Sequence, residues 1–209
     1  DLKNIKSNAL IGDDDCYFLA WTTTPWTLPA NNGLAIGTKI NYVLIETFNK
    51  YTESKINVII AEKCIERFFD SSNLKTSEGL VYDKQNIPYK ILKTFKGKDL
   101  IGFDYEQLLP YVKAEKPAFT VVSGNFVTTE EGTGIVHISL TFGSDDFYVS
   151  KKNNLPGIFV KNDKNEDVPI VDKSGKFVKE IVDFAGLQVK SFSTVEGLTT
   201  DEQISIKLK

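Results

Sequence analysis

The eleven residues from Trp21 to Asn31, W-T-T-T-P-W-T-L-P-A-N, constrain the fold of this chain more than any other stretch. The apolar run before them (Tyr17, Phe18, Leu19, Ala20) reads as a buried strand leading out of Cys16. Pro25 and Pro29 each remove a backbone donor and restrict the residue before them. The stretch is therefore expected to be neither a regular strand nor a helix interior. A strand must break into a loop at the first threonine. The hydroxyls of Thr22, Thr23, Thr24 and Thr27, with freed backbone amides, then face a ligand instead of a ladder.

Most of the remaining chain alternates like strand. Gly33 to Gly37 (GLAIG) reads as a short strand between glycines. Asn41 to Phe48 and Lys55 to Glu62 are rich in β-branched residues, and the polar Asn49 to Ser54 between them makes a hairpin. Glu62 to Asp70 carries apolar residues at 64, 65, 68 and 69, the spacing of an amphipathic helix. Ile87 to Phe95 returns as a strand, and Gly97 to Gly102 is a loop. Ala118 to Thr128 is expected as a strand with Gly124 as a bulge, and Gly134 to Ser139 as another. Ser144 is expected to cap a helix running to Lys152, with acids in its first turn and lysines in its last. Strands at Ile158 to Lys161 and Val168 to Val171, a turn at Asp172 to Gly175, and a helical exit over Thr194 to Lys209 complete the reading. There is no internal repeat. The order predicts an α+β fold: a single domain over residues 1–209, built on a β-barrel-like core with a few peripheral helices.

Composition excludes several classes of function. With 209 residues, 41% of them hydrophobic and 25% charged, the chain can bury a substantial core. No apolar run approaches the roughly 20 residues that span a bilayer, and Asp1 to Asn4 does not start like a secretion signal, so no membrane partner is expected. Cys16 and Cys64 are too few for a disulfide framework or a zinc site, and a reduced, cytoplasmic compartment is the default. A net charge of −3 argues against a generic nucleic-acid binder. Methionine is absent even at position 1, as expected for a piece excised from a longer protein. The single histidine, His137, excludes any mechanism that needs two. Asp13-Asp14-Asp15 reads as a solvated turn, because contiguous acids point in different directions. Asp163 to Asp167 begins like a calcium loop, but Val168 and Ser174 stand where the loop needs glycine and glutamate. No metal site is expected.

His137 lies in G-T-G-I-V-H-I-S, where alternation puts Ile135, His137 and Ser139 on one strand face. Gly143-Ser-Asp-Asp-Phe147 follows, placing carboxylates at a helix start within reach of the strand's end. The strings Trp21 to Asn31, Gly132 to His137 and Gly143 to Phe147, in that order, resemble the editing domain of isoleucyl-tRNA synthetase, a class I synthetase. The stretch from Gly157 to Lys190, with its V-P-I-V-D turn, resembles the family's late hairpin region. The related valyl and leucyl enzymes usually read T-T-R-P-E/D-T in the first string, where this chain has Thr24 and Trp26. Two departures stand out: Ser139 and Leu140 replace the family's A-P after the histidine, and Phe147 replaces a tyrosine. The synthetase's own ATP-binding signatures, H-x-G-H and K-M-S-K-S, are impossible with one histidine and no methionine.

The resemblance implies hydrolysis of mischarged valyl-tRNA(Ile), that is, post-transfer editing. The implied partners are the 3′ acceptor end of tRNA(Ile) carrying valine and the remainder of the synthetase chain. The domain itself would need no cofactor, ATP and magnesium belonging to the full-length enzyme. Asp146 would take the substrate's amino group, with Asp145 beside it at the helix start. Thr22, Thr23 and Thr24 would contact the ester, the ribose and the attacking water. Thr27 and Asn31 would shape the far side of the loop, and Trp21 and Gly134 would belong to the substrate-binding set. His137 would close the pocket against the longer isoleucine side chain and can also order water. No covalent nucleophile is required. Three alternatives stand: a non-catalytic module that binds the tRNA acceptor end, an editing domain of valyl specificity acting on threonyl-tRNA, and a metal-dependent hydrolase built on Asp13 to Asp15 with Asp145 and Asp146.

Overall fold

The computed structural model describes residues 16–77, 79–190 and 197–209, together with the backbone of residues 2–3. The Asp13-Asp14-Asp15 turn and the first residues of the expected C-terminal segment lie outside the described residues. The described residues fall into two compact units. The first comprises the described residues of Asp1–Trp21, Leu34–Glu106 and Thr120–Val136; the second comprises those of Thr22–Gly33, Gln107–Phe119 and His137–Lys209.

The first unit is built around a hairpin that local pairing dictates. Strands β4 (Asn41–Phe48) and β5 (Lys55–Ala61) pair antiparallel from Tyr42↔Ala61 to Phe48↔Lys55. Tyr42 to Ile45 are all buried, as expected of a central strand covered on both faces. On one side β5 takes β2 (Cys16–Phe18) in parallel, and β2 takes β1 (Leu2–Lys3) antiparallel. On the other side β4 takes β6 (Lys90–Lys96), giving the order β1-β2-β5-β4-β6. A second sheet has the order β7-β3-β8, from Thr120–Ser123, Gly33–Ile36 and Ile135–Ile138. The start of β8 is fixed from two sides. The buried Tyr42 hydroxyl donates to the Gly134 carbonyl (2.7 Å) and accepts from the Gly37 amide (3.0 Å). The Arg67 guanidinium donates to the carbonyls of Thr129 (2.8 Å), Glu130 (2.7 Å) and Gly132 (3.2 Å).

The second unit carries a 3-10 turn over Pro25–Ala30, helix α1 (Ser144–Lys152), the antiparallel pair β9 (Phe159–Lys161) and β10 (Asp167–Pro169), and helix α2 (Thr200–Lys207). Its core includes Ile138, Leu155, Ile158, Ile170, Phe177, Ile181 and Ile204. A capping box at α2, in which Thr199 and Glu202 satisfy each other's backbone amides, starts that helix cleanly.

The α+β class is as expected. Among the described residues the strand order of each sheet is linear, with only single-residue bridges such as Trp21↔Val136 and Asp104↔Thr120 outside the strands, and no closed barrel forms. Other differences have local causes. β2 stops at Phe18, leaving Leu19 and Ala20 half-buried. Pro25–Ala30 is helical after all, because Pro25 occupies the first position, where no amide is needed and its φ is already suitable. Glu62–Arg67 is also 3-10, burying only Cys64 and Ile65, instead of a longer amphipathic helix. Gly97–Leu100, read as loop, is a further short 3-10 turn. Gly124 ends β7 instead of bulging it. Its amide donates to Ile36 (2.8 Å), its carbonyl accepts from Val127 (3.2 Å), and an added Cβ would come within 2.9 Å of the Ala35 side chain. In α1, Gly143 is the N-cap and Ser144 the first helical residue, with no side-chain cap.

Removing the Tyr42 hydroxyl orphans two buried backbone groups at once. Tyr42→Phe is expected to destabilise the protein by about 1–3 kcal/mol, read as a lower urea midpoint at unchanged slope. An unchanged midpoint would show that the hydroxyl does not hold β8.

Candidate functional site

The Pro25–Ala30 turn is held from both ends. At its start the Thr24 carbonyl accepts from the Thr27 amide (3.0 Å), and at its end the Leu28 carbonyl accepts from Asn31 (3.0 Å). Thr22 turns its hydroxyl inward to accept from the Thr24 amide (3.0 Å), while the side chains of Thr23 and Thr24 are exposed. The Trp26 amide, which the turn leaves free, donates to the Asp201 carboxylate (2.7 Å) in the first turn of α2. The Trp26 ring packs edge-on against Phe142 (4.9 Å between centroids), with the Lys190 ammonium 5.8 Å from its centroid. Burial raises the Asp201 pKa, and the Trp26 N–H pulls it back. Asp201 was not legible as a partner. Thr199 to Glu202 announces a helix start but carries no sign of which loop, 175 residues away, it serves.

Thr27 connects the turn to His137. Its hydroxyl donates to the Thr24 carbonyl (2.8 Å), lies 2.9 Å from His137 Nε2 and is 3.5 Å from the Thr24 hydroxyl. His137 is only 7% exposed, and its Nδ1 is buried without a hydrogen-bond partner. Burial holds its pKa down, at about 4, so the ring is neutral at physiological pH.

Two residues further on, the Ser139 amide donates to Asp146 Oδ2 (3.0 Å). Asp146 is half-buried in the first turn of α1 and folds back over Gly143, where an added Cβ would lie 3.2 Å from the Asp146 carboxyl carbon. Desolvation raises the Asp146 pKa; the Ser139 N–H opposes this, and the neighbouring charge of Asp145 adds to it. Asp145 itself is exposed. The side chain of Asn31 is buried, and its amide donates to the carbonyls of Gly33 (2.9 Å) and Ile138 (3.4 Å), so it ties the turn to the strand. Asn32, which the sequence reading passed over, does similar work: it is buried and donates to Ser150 (3.2 Å) and Pro156 (3.0 Å).

Thr22, Thr23, Thr24, Thr27, Asn31, His137, Asp145 and Asp146 therefore all lie in the second unit, whereas Trp21 and Gly134 lie in the first. Trp21 pairs with Val136 and meets Phe68 edge-on at 6.4 Å. Gly134 has φ +73°, and any side chain there would run into Ala61. Among the described residues no group of three His, Cys, Asp or Glu side chains is placed to hold a metal ion.

This arrangement has close sequence relatives. Over 98% of its length the chain is 49% identical to isoleucine–tRNA ligase of Cytophaga hutchinsonii. It is 47% identical over 77% of its length to the same enzyme of Bacteroides fragilis, and 38% over 93% to that of Porphyromonas gingivalis. The chain belongs to the isoleucine–tRNA ligase family. It corresponds to one segment, spanning 20%, 14% and 19% of those three relatives. No protein-family model matches the chain. The fold is shared with the GlLeuRS-CP1 crystal structure, at a TM-score of 0.58 and 13% identity over 95% of this chain and 82% of that one. Among the described residues of this ligase segment no helix is long and apolar enough to cross a membrane.

The depressed pKa of His137 makes its neutrality a contribution to stability. The folded value, about 4, lies below the unfolded value near 6.5, so between these the unfolded chain binds the extra proton. Stability from this residue is intact above about pH 6.5 and is lost as pH falls toward 4, by about 3 kcal/mol in all. Unfolding free energies of the wild type and of His137→Gln, measured from pH 7 to pH 4, should therefore converge by that amount. A constant difference would show that the imidazole titrates normally.

Proposed function

We propose that this chain is the proofreading segment of an isoleucine–tRNA ligase, hydrolysing valine wrongly esterified to tRNA(Ile). The family membership supports this, but the observation that carries it is local. The exposed threonine loop, a buried neutral histidine and a half-buried carboxylate come from separated parts of the chain into one unit. The physical problem is discrimination by a methylene, worth only about 1–3 kcal/mol in any binding pocket, with isoleucine against valine as the standard example of that limit. A second, smaller pocket that destroys the wrong product resolves it.

In this reading Asp146 receives the α-ammonium of the aminoacyl group. Its raised pKa marks a carboxylate partly removed from water, where an ammonium partner is worth more than on the surface. Thr23 and Thr24 offer exposed hydroxyls to the ester and the ribose, while Thr22 holds the loop through the Thr24 amide. His137 forms the wall that excludes the longer isoleucine side chain. An aminoacyl ester is already labile, so positioning a water and excluding bulk solvent supply the rate without a covalent nucleophile. The partners are the acceptor end of tRNA(Ile) and the rest of the ligase, acting in the cytoplasm. At a net charge of −3 the segment binds tRNA weakly by itself, because phosphate attraction supplies most non-specific affinity.

Asp146→Asn keeps an oxygen for the Ser139 amide but removes the charge. Deacylation of valyl-tRNA(Ile) by this variant should fall about 100-fold, the equivalent of roughly 3 kcal/mol, with most of the loss in KM. Wild-type activity in this variant would overturn the assignment of Asp146. His137→Ala should begin to hydrolyse correctly charged isoleucyl-tRNA(Ile); if that product stays protected, the size-exclusion role is wrong.

A further inference from the structure

The hydrogen-bond geometry at Thr27 decides the protonation of the histidine ring. A threonine hydroxyl has one proton to give and lone pairs to receive with. The Thr24 carbonyl, 2.8 Å away, can only accept, so it takes that proton. Were the proton aimed at His137 instead, two oxygens would face each other at 2.8 Å with nothing between them. Nε2, 2.9 Å from the same hydroxyl, must therefore carry hydrogen and donate. A neutral imidazole has one N–H, so Nδ1 is bare. The ring is not the doubly protonated cation, since burial disfavours that charge and no carboxylate contacts the ring nitrogens among the described residues.

A bare Nδ1 is an acceptor, and it is buried with no partner. The same is true of the Ser139 hydroxyl, two positions along the same strand direction, in a residue that is fully buried. Orphaned buried polar groups are rare in native proteins, and each calls for a physical explanation. We propose that Thr27 is a positioning residue that locks His137 as its Nε2–H tautomer, so that Nδ1 stands as a fixed acceptor for an N–H or O–H donor of the bound aminoacyl-adenosine end. The opposite tautomer would present a donor at that point, which repels an ammonium and obliges a ribose hydroxyl to accept instead of donate. The ligand named here rests on the editing function proposed above; the tautomer does not. Valine at position 27 would have nearly the same shape but no hydroxyl to accept from Nε2–H, so the lock would be lost.

The chain's single histidine makes this directly measurable. In protein labelled with [15N]histidine, long-range 1H–15N correlation at pH 7.5 should show one imidazole, protonated at Nε2 and bare at Nδ1. Thr27→Val should shift the ring to a mixture or to the Nδ1–H form, and Thr27→Ser should restore the wild-type pattern. Adding a non-hydrolysable valyl-adenosine analogue should move the bare Nδ1 resonance upfield while Nε2 stays in place. Wild-type protein with its proton on Nδ1, or a Thr27→Val spectrum identical to wild type, overturns the lock whether or not the chain deacylates tRNA. If Thr27→Val does not fold, the wild-type and Thr27→Ser spectra still decide. An analogue that binds, seen by shifts elsewhere, without moving Nδ1 overturns the acceptor role and leaves the editing function standing. An analogue that fails to bind, in a chain that also fails to deacylate, overturns both.

Discussion

Two prolines four positions apart leave the Trp21 to Asn31 stretch short of backbone donors, and much of the second unit answers that shortage. A 3-10 turn is the economical answer, since its bonds span three residues and Pro25 sits where no donor is required. Several of the amides that remain find acceptors close by or far along the chain. Thr27 and Asn31 close the turn internally, and Trp26 reaches Asp201 at the start of α2. Helix α2 therefore acts as a strut: its first-turn carboxylate meets an amide the turn cannot satisfy, and its Thr200 hydroxyl holds the Gln188 carbonyl at 2.8 Å. With the backbone secured this way, the side chains of Thr23 and Thr24 are left exposed on a loop that cannot relax into a strand.

What was legible in the sequence follows from the range of each interaction. The β4–β5 hairpin was readable because β-branched alternation and a polar turn are local properties, and the register follows from them. The acids and lysines of α1 were readable as a helix with complementary ends. The failures have one physical source. Whether Gly124 bulges or stops a strand depends on how closely Ala35 approaches, and whether prolines break a helix or start a short one depends on where the free amide finds an acceptor. Both are decided by residues distant in sequence.

The sequence puts the candidate residues forward as one group, and the structure divides them between two units and among different partners. The motif groups Asn31 and Gly134 with the threonines, yet Asn31 donates to two backbone carbonyls and Gly134 lets β8 approach Ala61. A sequence string does not separate residues that hold a loop from residues that face a ligand. Only the hydrogen-bond partners do. Thr27 shows the difference most sharply. Read as one more hydroxyl on the far side of the loop, it is buried between a carbonyl and an imidazole.

The departures from the family pattern leave the bond to Asp146 in place, although the Ser139 hydroxyl is buried without a partner. The bond to Asp146 comes from the Ser139 backbone amide, so replacing the family's alanine by serine leaves it intact and adds a hydroxyl beside it. Phe147, in place of a tyrosine, is an exposed residue of α1 with the Lys151 ammonium 5.5 Å from its ring centroid, so the missing hydroxyl is not a missing core bond. What the geometry demands near His137 is a backbone donor for Asp146 and a hydroxyl acceptor for Nε2. Ser139 supplies the first with any side chain, whereas Thr27 supplies the second only through its hydroxyl. By that argument position 27 is the less replaceable of the two, although nothing in its spacing along the chain sets it apart from its three neighbouring threonines.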